Sequence, residues 1–473
     1  MSNRPQPLIL ANTVGLTDRL LQHAPRLQRL ANSGWKARLR EVTPAVTSTA
    51  QATLLTGSLP CEHGIVANGW LFRDTMEVRF WQQSNRLLER EPLYVTARRR
   101  ATKRGIDFSA MKLFWWFNQG AAVDFSVTPK PHYGADGNKR FAVASVPEDL
   151  ARRAEKALGR FPFPAFWGPN AGLASTHWIA RAVDFLLQAL KPSPDLTLVY
   201  LPHLDYDLQR FGVDDHRAVH CVRELDDQLA ALGLAAQKFG GRLWVVNEYS
   251  HATVSRPVFP NRALREAGLL TVRDGPFGET LETFQSAVFA VCDHQIAHVY
   301  IKSTTEQSLR QRVRELLARL PGVATVLDDQ SKAEHGLDHP RSGELILLAE
   351  RDAWFAYPYW LDDRRAPDFA RCVDIHRKPG FDPCELFFDP KLWWPKGRAA
   401  WRLMQKTLGF RTLFDVVPLD ASLVRGSHGL AACDPRDRPL LIGSGPKPYL
   451  DGDESLPMTA VRDLVLAALG LHD

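Results

Sequence analysis

Three polar side chains follow apolar segments of the sequence, at the points where strands are expected to end. Asn12, Asp205 and Glu248 each stand just beyond such a segment. In an open α/β sheet, ligands bind beyond the carboxyl ends of the strands, where side chains from separate strands converge. Carboxylate oxygens gathered there can bind a divalent cation, whereas either carboxylate alone is more often a helix cap or an ion-pair partner. The pattern indicates a candidate cation site at Asp205 and Glu248.

A hydroxyl group is expected at the start of a helix. The helical pattern begins near Ser48 and ends at Gly57, which places Thr47 at or just before the helix N-terminus. Free backbone N–H groups and the positive end of the helix dipole favour a phosphate at such a position. Taken alone, however, Thr47 is better explained as an N-cap.

The elements that must position these residues alternate along the chain. Short apolar runs separated by amphipathic helices predict an α/β fold with a doubly wound, mostly parallel sheet. The expected helices cover about Thr17–Asn32 and Ser175–Leu190. The expected strands are Leu8–Leu10, Leu196–Leu201, Leu243–Val246, Glu344–Leu348 and Leu440–Ile442.

Two stretches interrupt this alternation. Residues 70–170 and residues 354–400 are rich in aromatic residues and proline, and we interpret both as insertions that cap the sheet. The aromatic side chains are better explained by core and lid packing than by the stacking of bases. The chain is thus expected to be one domain, residues 1–473, with two capping insertions.

Composition and charge limit the functional class. The chain has 473 residues, of which 45% are hydrophobic, and its formal net charge is +6. This composition is that of a globular protein, and so small an excess of charge does not indicate a nucleic-acid polymer as partner. The six cysteines form no CxxC pair, and neither a secretory leader nor an apolar run long enough to span a membrane is evident. We therefore expect a cytoplasmic protein.

An ordered set of motifs resembles the nucleotide pyrophosphatase/phosphodiesterase family of the alkaline phosphatase superfamily. In the first motif, Thr47 precedes Gly57 by ten residues, and a His63–Gly64–Ile65 string leads to Asn68. The second is LVYLPHLDYDLQRFG, which contains Asp205, the third is LWVVNEYS, which contains Glu248, and the last is RGSHGL, which contains His428. The anchors run in family order over almost the whole chain.

The resemblance implies a role for each of these residues. Thr47 would be the nucleophile that forms a phospho-threonine intermediate, and Asn68 would hydrogen-bond a phosphoryl oxygen. Asp205 and His428 would bind a first divalent ion, and Glu248 a second. The implied cofactor is zinc, with manganese or magnesium as alternatives, in one or two ions.

Three positions depart from the family pattern. Val14 and Gln209 stand where an Asp and a His are expected, and Tyr249 stands in place of a second His. Valine cannot bind a metal, and glutamine and tyrosine are weak ligands. Gln209 and Tyr249 are thus candidate altered ligands, while Asn12 would lie on the same strand face as Val14.

Residues of the second insertion offer further candidates. Asp374 and His376 could replace lost ligands, and Lys378 could bind a phosphate or carboxylate, although the same loop could equally be held by its own ion pairs. We expect His294 and His298, by contrast, to share one face of a strand as core histidines.

The function indicated is a metal-dependent phosphoester hydrolase that acts through Thr47 on a small organic phosphate. Two alternatives stay open because of the altered ligands. One is a catalytically silent or repurposed protein that binds a phosphorylated ligand, and the other is a phosphonate hydrolase or phosphoryl transferase. The expected partner is a small phosphorylated molecule; the oligomeric state is not indicated by the sequence.

Overall fold

The computed structural model describes residues 4–135, 139–302, 306–408, 410, 412–447 and 455–472. Strands and α-helices alternate over most of this part of the chain. The helices are α1 (Asp18–Leu21), α2 (Pro25–Ser33), α3 (Thr47–Thr56), α4 (Pro60–His63), α5 (Leu93–Lys103), α6 (Asp149–Leu158), α7 (Leu173–Ala189), α8 (His203–Phe211), α9 (His216–Lys238), α10 (Pro260–Glu266), α11 (Gln307–Ala318), α12 (Asp329–Glu334), α13 (Pro395–Thr407) and α14 (Val461–Ala468). The strands are β1 (Leu8–Thr13), β2 (Trp35–Arg40), β3 (Gly69–Phe72), β4 (Glu77–Phe80), β5 (Ala110–Leu113), β6 (Phe125–Pro129), β7 (His132–Tyr133), β8 (Lys139–Arg140), β9 (Val143–Val146), β10 (Leu196–Leu201), β11 (Arg242–Asn247), β12 (Ala252–Thr253), β13 (Arg256–Val258), β14 (Val272–Arg273), β15 (Thr280–Leu281), β16 (Val288–Asp293), β17 (Ile296–Ile301), β18 (Val323–Leu327), β19 (Leu345–Ala349), β20 (Ala353–Phe355), β21 (Gly426–Ser427), β22 (Leu440–Gly443) and β23 (Ser455–Pro457).

A large, mostly parallel sheet forms the centre of the protein and confirms the predicted fold class. Its strand order is β23-β2-β22-β11-β1-β10-β5-β6-β9. Strand β1 lies between β10 and β11, parallel to both, and Thr13 pairs with Leu201 on one side and with Asn247 on the other. All residues of β1 and β10 are buried, as expected for strands with helices on both faces. The carboxyl ends of these three strands meet at one edge of the sheet.

The first predicted helix is two helices in the structure. A break between α1 and α2 falls directly before Pro25, the first residue of α2. Proline has no N–H for the preceding turn and disfavours a helical residue before it, so one continuous helix cannot form. The second predicted helix is α7, within two residues of its expected start.

One of the expected strands belongs to a second, antiparallel sheet and not to the large sheet. Strand β19 matches the expected run Glu344–Leu348, but it pairs with β17 and β18 in a sheet of order β16-β17-β19-β18. Strand β22 does join the large sheet, antiparallel to β11 and β2.

The stretch 70–170 contributes to the large sheet as well as to its surroundings. Strands β5 and β6 extend the parallel part beyond β10, and β9 closes that side in the antiparallel direction. In the described part of the chain, no helix is both long and apolar enough to cross a membrane.

Candidate metal centre and nucleophile

Thr47 is the first residue of α3 and its hydroxyl faces a phenol. Val46, in extended conformation (φ −130°, ψ 156°), occupies the N-cap position, so Thr47 is not the N-cap. The Thr47 Oγ1 atom lies 2.8 Å from the Tyr249 hydroxyl oxygen, and both residues are buried. The helix ends as the sequence predicts, at Gly57, whose left-handed backbone (φ +65°) suits a glycine.

Three side chains surround the carboxylate of Asp205. His251 Nε2 lies 2.8 Å from Asp205 Oδ1, and Gln209 donates from Nε2 to Oδ2 at 2.8 Å. His428 Nε2 lies 3.9 Å from the same Oδ1 atom. One ligand atom each of Asp205, His251 and His428 falls within 4.8 Å of the other two, and all three residues are buried. Two imidazoles and a carboxylate are a common ligand set for a divalent ion such as zinc.

The protonation states in this group suit metal binding. Burial by itself would raise the pKa of Asp205, but the hydrogen bond and charge of His251, together with His428, hold that pKa below its ordinary value. Burial and the neighbouring His294 lower the pKa of His428 well below its usual range. The His428 Nδ1 atom lies 2.8 Å from the carbonyl oxygen of Ala45, to which it donates, and Nε2 keeps its lone pair.

An unsatisfied oxygen supports the fit of a cation at this group. Gln209 Oε1 is buried and has no hydrogen-bond partner, although the other end of the same amide is bound to Asp205. A buried polar atom without a partner is costly, and an amide oxygen is an acceptable ligand for a divalent ion. We conclude that Asp205, His251 and His428 fit one cation, with Gln209 beside them.

Glu248 is engaged differently from Asp205: its Oε1 atom is hydrogen-bonded, whereas its Oε2 atom and the Oδ1 atom of the adjacent Asn12 are buried without a partner. The Oε1 atom of Glu248 accepts hydrogen bonds from the side-chain amides of Asn12 and Gln51. Burial raises the pKa of Glu248 well above its ordinary value, against the hydrogen bonds from Gln51 and Asn12, which lower it. Val14 is buried and apolar. Of the residues that the structure describes, no group of three His, Cys, Asp or Glu side chains includes Glu248.

Asn68 is fixed next to the start of α3. Its Oδ1 atom accepts from the backbone N–H of Ser48 at 2.9 Å. Its own backbone N–H and its Nδ2 donate to the two oxygens of Asp293, at 2.7 and 3.1 Å. These bonds hold the Asn68 side chain beside the N-terminal turn of α3. Burial raises the pKa of Asp293 to about 7.

The second insertion does not supply the replacement ligands. Lys378 is buried and its Nζ lies 2.7 Å from both Asp382 and Glu385, so its charge is already compensated. Asp374 pairs with Arg377 at 3.3 Å, and neither Asp374 nor His376 belongs to the ligand group at Asp205. The alternative that ion pairs within the loop hold this segment therefore describes it best.

The two insertions meet in an aromatic wall at the metal centre. Phe381 stacks on His294 with ring centroids 3.8 Å apart, and Trp81 and Trp167 pack against Phe381 at 5.9 and 5.8 Å. The Trp167 indole donates to Glu385 at 2.6 Å, which ties the first insertion to the second.

Two histidines at the centre were not expected there. His294 was placed on a strand, but it lies in the turn between β16 and β17 with φ +60° and its ring packs on His428, with centroids 3.5 Å apart. His298, in β17, is a buried histidine as expected, 3.1 Å from the Val66 carbonyl oxygen. His251 was not among the ligands expected from the sequence; its position, two residues beyond Tyr249 and shortly after β11, was the available signal.

Comparisons with known proteins agree with this architecture. Residues 8–382 match the family model described as type I phosphodiesterase / nucleotide pyrophosphatase. This range includes Thr47, Asn68, Asp205 and Glu248, whereas His428 lies beyond it. A comparison with curated protein sequences found no match.

Solved structures of similar fold cover nearly the whole chain. The murine ectonucleotide pyrophosphatase / phosphodiesterase 5 is 14% identical, with a TM-score of 0.59 over 99% of this chain and 97% of that one. Phosphonoacetate hydrolase from Sinorhizobium meliloti 1021, in complex with phosphonoformate, is 16% identical, with a TM-score of 0.60 over 99% and 96%. A third structure, the inactive murine enzyme in complex with AMP, is 13% identical, with a TM-score of 0.59 over 99% and 97%.

The family match spans most of the chain, and the motifs that carry the resemblance converge in the structure at the carboxyl edge of the large sheet. In broad terms, this family consists of metal-dependent phosphoester hydrolases. The chain belongs to the type I phosphodiesterase / nucleotide pyrophosphatase family.

Proposed function

We propose that the protein is a phosphoester hydrolase that uses a single divalent ion, bound by Asp205, His251 and His428, and Thr47 as its nucleophile. The observation that carries this proposal is the contrast between two neighbouring sites. Three ligand atoms converge at Asp205, whereas Glu248 accepts hydrogen bonds from two side-chain amides and belongs to no such group among the described residues.

The ion we propose is zinc, because zinc favours nitrogen and carboxylate ligands in sites of three protein ligands. When bound, it would supply positive charge to a phosphoryl oxygen and lower the barrier to attack on phosphorus. Manganese or magnesium would be a poorer match for two imidazoles. A cytoplasmic location stays a prediction from the sequence.

Thr47 needs orientation to attack, and Tyr249 supplies it. A hydroxyl that donates to the Tyr249 oxygen, 2.8 Å away, keeps its lone pairs for phosphorus. Attack forms the bond from Thr47 Oγ1 to phosphorus and breaks the bond from phosphorus to the leaving oxygen; the Thr47 proton is released to solvent water, and the leaving oxygen takes up a proton from solvent. Hydrolysis of the phospho-threonine then returns the free hydroxyl.

The phosphate would lie at the N-terminus of α3. The positive end of the helix dipole favours an anion there, and the Asn68 side chain lies beside this turn. The substrate we propose is a small organic phosphate, and the aromatic wall of Phe381 and Trp167, which adjoins His294, would pack against its organic part. The AMP bound by the murine relative is a molecule of this class.

The test combines metal content with turnover. Elemental mass spectrometry on protein purified without chelator should find zinc, and Asp205→Asn should release the ion from this centre. Thr47→Ala should abolish cleavage of aryl phosphodiesters, while Thr47→Ser should keep part of it. Thr47→Ala with wild-type turnover would refute the proposed nucleophile.

The same assay separates the alternative functions. A panel of phosphodiesters, phosphomonoesters and phosphonates identifies the bond that is broken. Tight binding of a phosphorylated ligand that is unaffected by chelator, without turnover of any of the three classes, would instead indicate a binding protein.

A further inference from the structure

A second group of ligating side chains lies between helices α8 and α9, away from Thr47. His203 is the first residue of α8, and Cys221 and Glu224 lie on α9. One ligand atom from each of these three residues falls within 4.8 Å of the other two. His203 lies within the motif that contains Asp205, but none of the three residues is among the site residues that the resemblance implies.

His203 lacks the hydrogen bonds that a buried imidazole normally makes. The residue is fully buried, and neither Nδ1 nor Nε2 has a hydrogen-bond partner. A neutral imidazole always carries one N–H donor and one acceptor nitrogen, and leaving both unpaired in the interior costs stability. A cation bound to one ring nitrogen would supply the missing partner.

The helix geometry brings the ligands to one place. His203 and Asp207 are separated by four residues on α8, and Cys221 and Glu224 by three on α9, so each pair shares a helix face. The Cys221 sulfur contacts the carbonyl oxygen of His203 at 3.8 Å and is also within hydrogen-bonding reach of the Asp207 side chain. Asp207 adds negative charge next to both Cys221 and Glu224.

The site has an opening to solvent at its acidic end. His203 and Cys221 are buried, whereas the Glu224 and Asp207 side chains are 26% and 24% exposed. An ion could therefore enter from the carboxylate side and meet the imidazole and thiol at the inner side. Arg210 contacts Asp207 Oδ1 at 2.9 Å, which fixes that carboxylate in place.

We propose that His203, Cys221 and Glu224 bind a structural zinc ion. Zinc favours a tetrahedral set of sulfur, nitrogen and oxygen ligands, and Asp207 or a water would complete the four. On binding, the Cys221 thiol releases its proton to solvent and becomes the thiolate ligand. Because Asp205 and Gln209 are on the same short helix as His203, this ion would also hold α8 in the position that the catalytic centre requires.

Cobalt substitution distinguishes this site from the one at Asp205. A cobalt–thiolate bond gives a charge-transfer absorption in the near ultraviolet, and the group at Asp205 contains no cysteine. Wild-type protein reconstituted with Co²⁺ should show this band. Cys221→Ser should lose it, while His428→Ala, which affects only the other centre, should keep it.

Cys384→Ser is the matched control. Cys384 is also a buried free cysteine whose sulfur contacts a carbonyl oxygen, that of Asp420 at 3.7 Å. This variant should keep the band. If Cys221→Ser does not fold, Glu224→Gln should still weaken cobalt binding by at least about tenfold, the lower range for loss of a metal-site contact.

Either of two results would overturn the proposal. Wild-type protein without a thiolate band at saturating Co²⁺ would exclude Cys221 as a ligand. A band that persists in Cys221→Ser but disappears in Cys384→Ser would assign the thiolate elsewhere. Both results are independent of turnover, so the failure of the proposed hydrolytic function would not affect them.

Discussion

The hydroxyl of Tyr249 lies 2.8 Å from the hydroxyl of Thr47, at a position where the family motif has a metal-binding histidine. The Tyr249 ring also stacks on His428, with centroids 3.8 Å apart. Burial raises the pKa of Tyr249 well above its ordinary value, so the phenol is neutral at physiological pH. Thr47 is thus hydrogen-bonded to a neutral phenol, at the position where the family motif predicts a ligand of a second cation.

Removing that phenol hydroxyl should slow the reaction without removing the metal. In Tyr249→Phe, Thr47 loses the group that orients it, and we expect turnover to fall by about 10²-fold, the lower range for a positioned proton-transfer group. Metal content should equal that of the wild type. Tyr300→Phe is the control, since Tyr300 is also buried and donates to a carbonyl oxygen, that of Arg341 at 2.8 Å. Unchanged turnover in Tyr249→Phe would contradict the orienting role.

Loss of His251 should empty the metal centre. His251→Gln removes one of three ligands, and we expect metal content and hydrolysis to fall together, with partial recovery at high added zinc. His298→Gln alters another buried histidine, whose partner is the Val66 carbonyl oxygen, and should retain its metal. Full metal content in His251→Gln would remove this residue from the ligand set.

The sequence alone was enough to predict Thr47 and Asp205 as site residues, because the helical pattern, the position after a strand and the order of the motifs are all visible along the chain. Thr47 was placed by the helical pattern before Gly57, and Asp205 by its position after a buried strand. His251 and His294 could not be placed in this way. His251 contacts Asp205 because of the course that the chain takes after β11. The left-handed backbone at His294 places its ring outside the strand, where it packs on His428.

For a related reason, the sequence could not predict which sheet each strand joins. The apolar run of β19 looks like any buried strand, and only its pairing with β17 and β18 assigns it to the smaller sheet. Lys378, a candidate contact for a phosphate or carboxylate, is instead paired with Asp382 and Glu385 within the same loop, as in the alternative that the loop is held by its own ion pairs.

Glu248→Gln distinguishes one ion from two. The neutral amide keeps an oxygen for the hydrogen bonds from Asn12 and Gln51, so we expect turnover within several-fold of the wild type and unchanged metal content. Glu248→Ala should instead destabilise the protein by about 1–3 kcal/mol for each amide left unpaired, as measured by urea denaturation. In a two-ion enzyme, Glu248→Gln would lose one equivalent of metal and most of its activity.

The buried His63 should make stability depend on pH. Its Nδ1 accepts from the backbone N–H of Ile65 at 3.1 Å, and its Nε2 lies 3.0 Å from the Thr53 hydroxyl oxygen. Burial lowers its pKa from 6.5 to about 3. The unfolded chain therefore takes up a proton as pH falls through 6.5, and the folded protein does so only near 3, so stability is lost across this interval.

The contribution of His63 can be isolated by replacing it. The shift corresponds to about 5 kcal/mol at most, and His63→Asn, which keeps an acceptor for Ile65, should flatten the dependence of the unfolding free energy on pH between these values. His216→Asn, at a side chain that is 90% exposed, should leave the slope unchanged. Urea denaturation at each pH gives the unfolding free energy, and the comparison concerns how this free energy changes with pH. A cavity left by the shorter asparagine lowers the free energy equally at every pH and therefore does not affect the comparison. Equal slopes in wild type and His63→Asn would show that other groups cause the acid sensitivity.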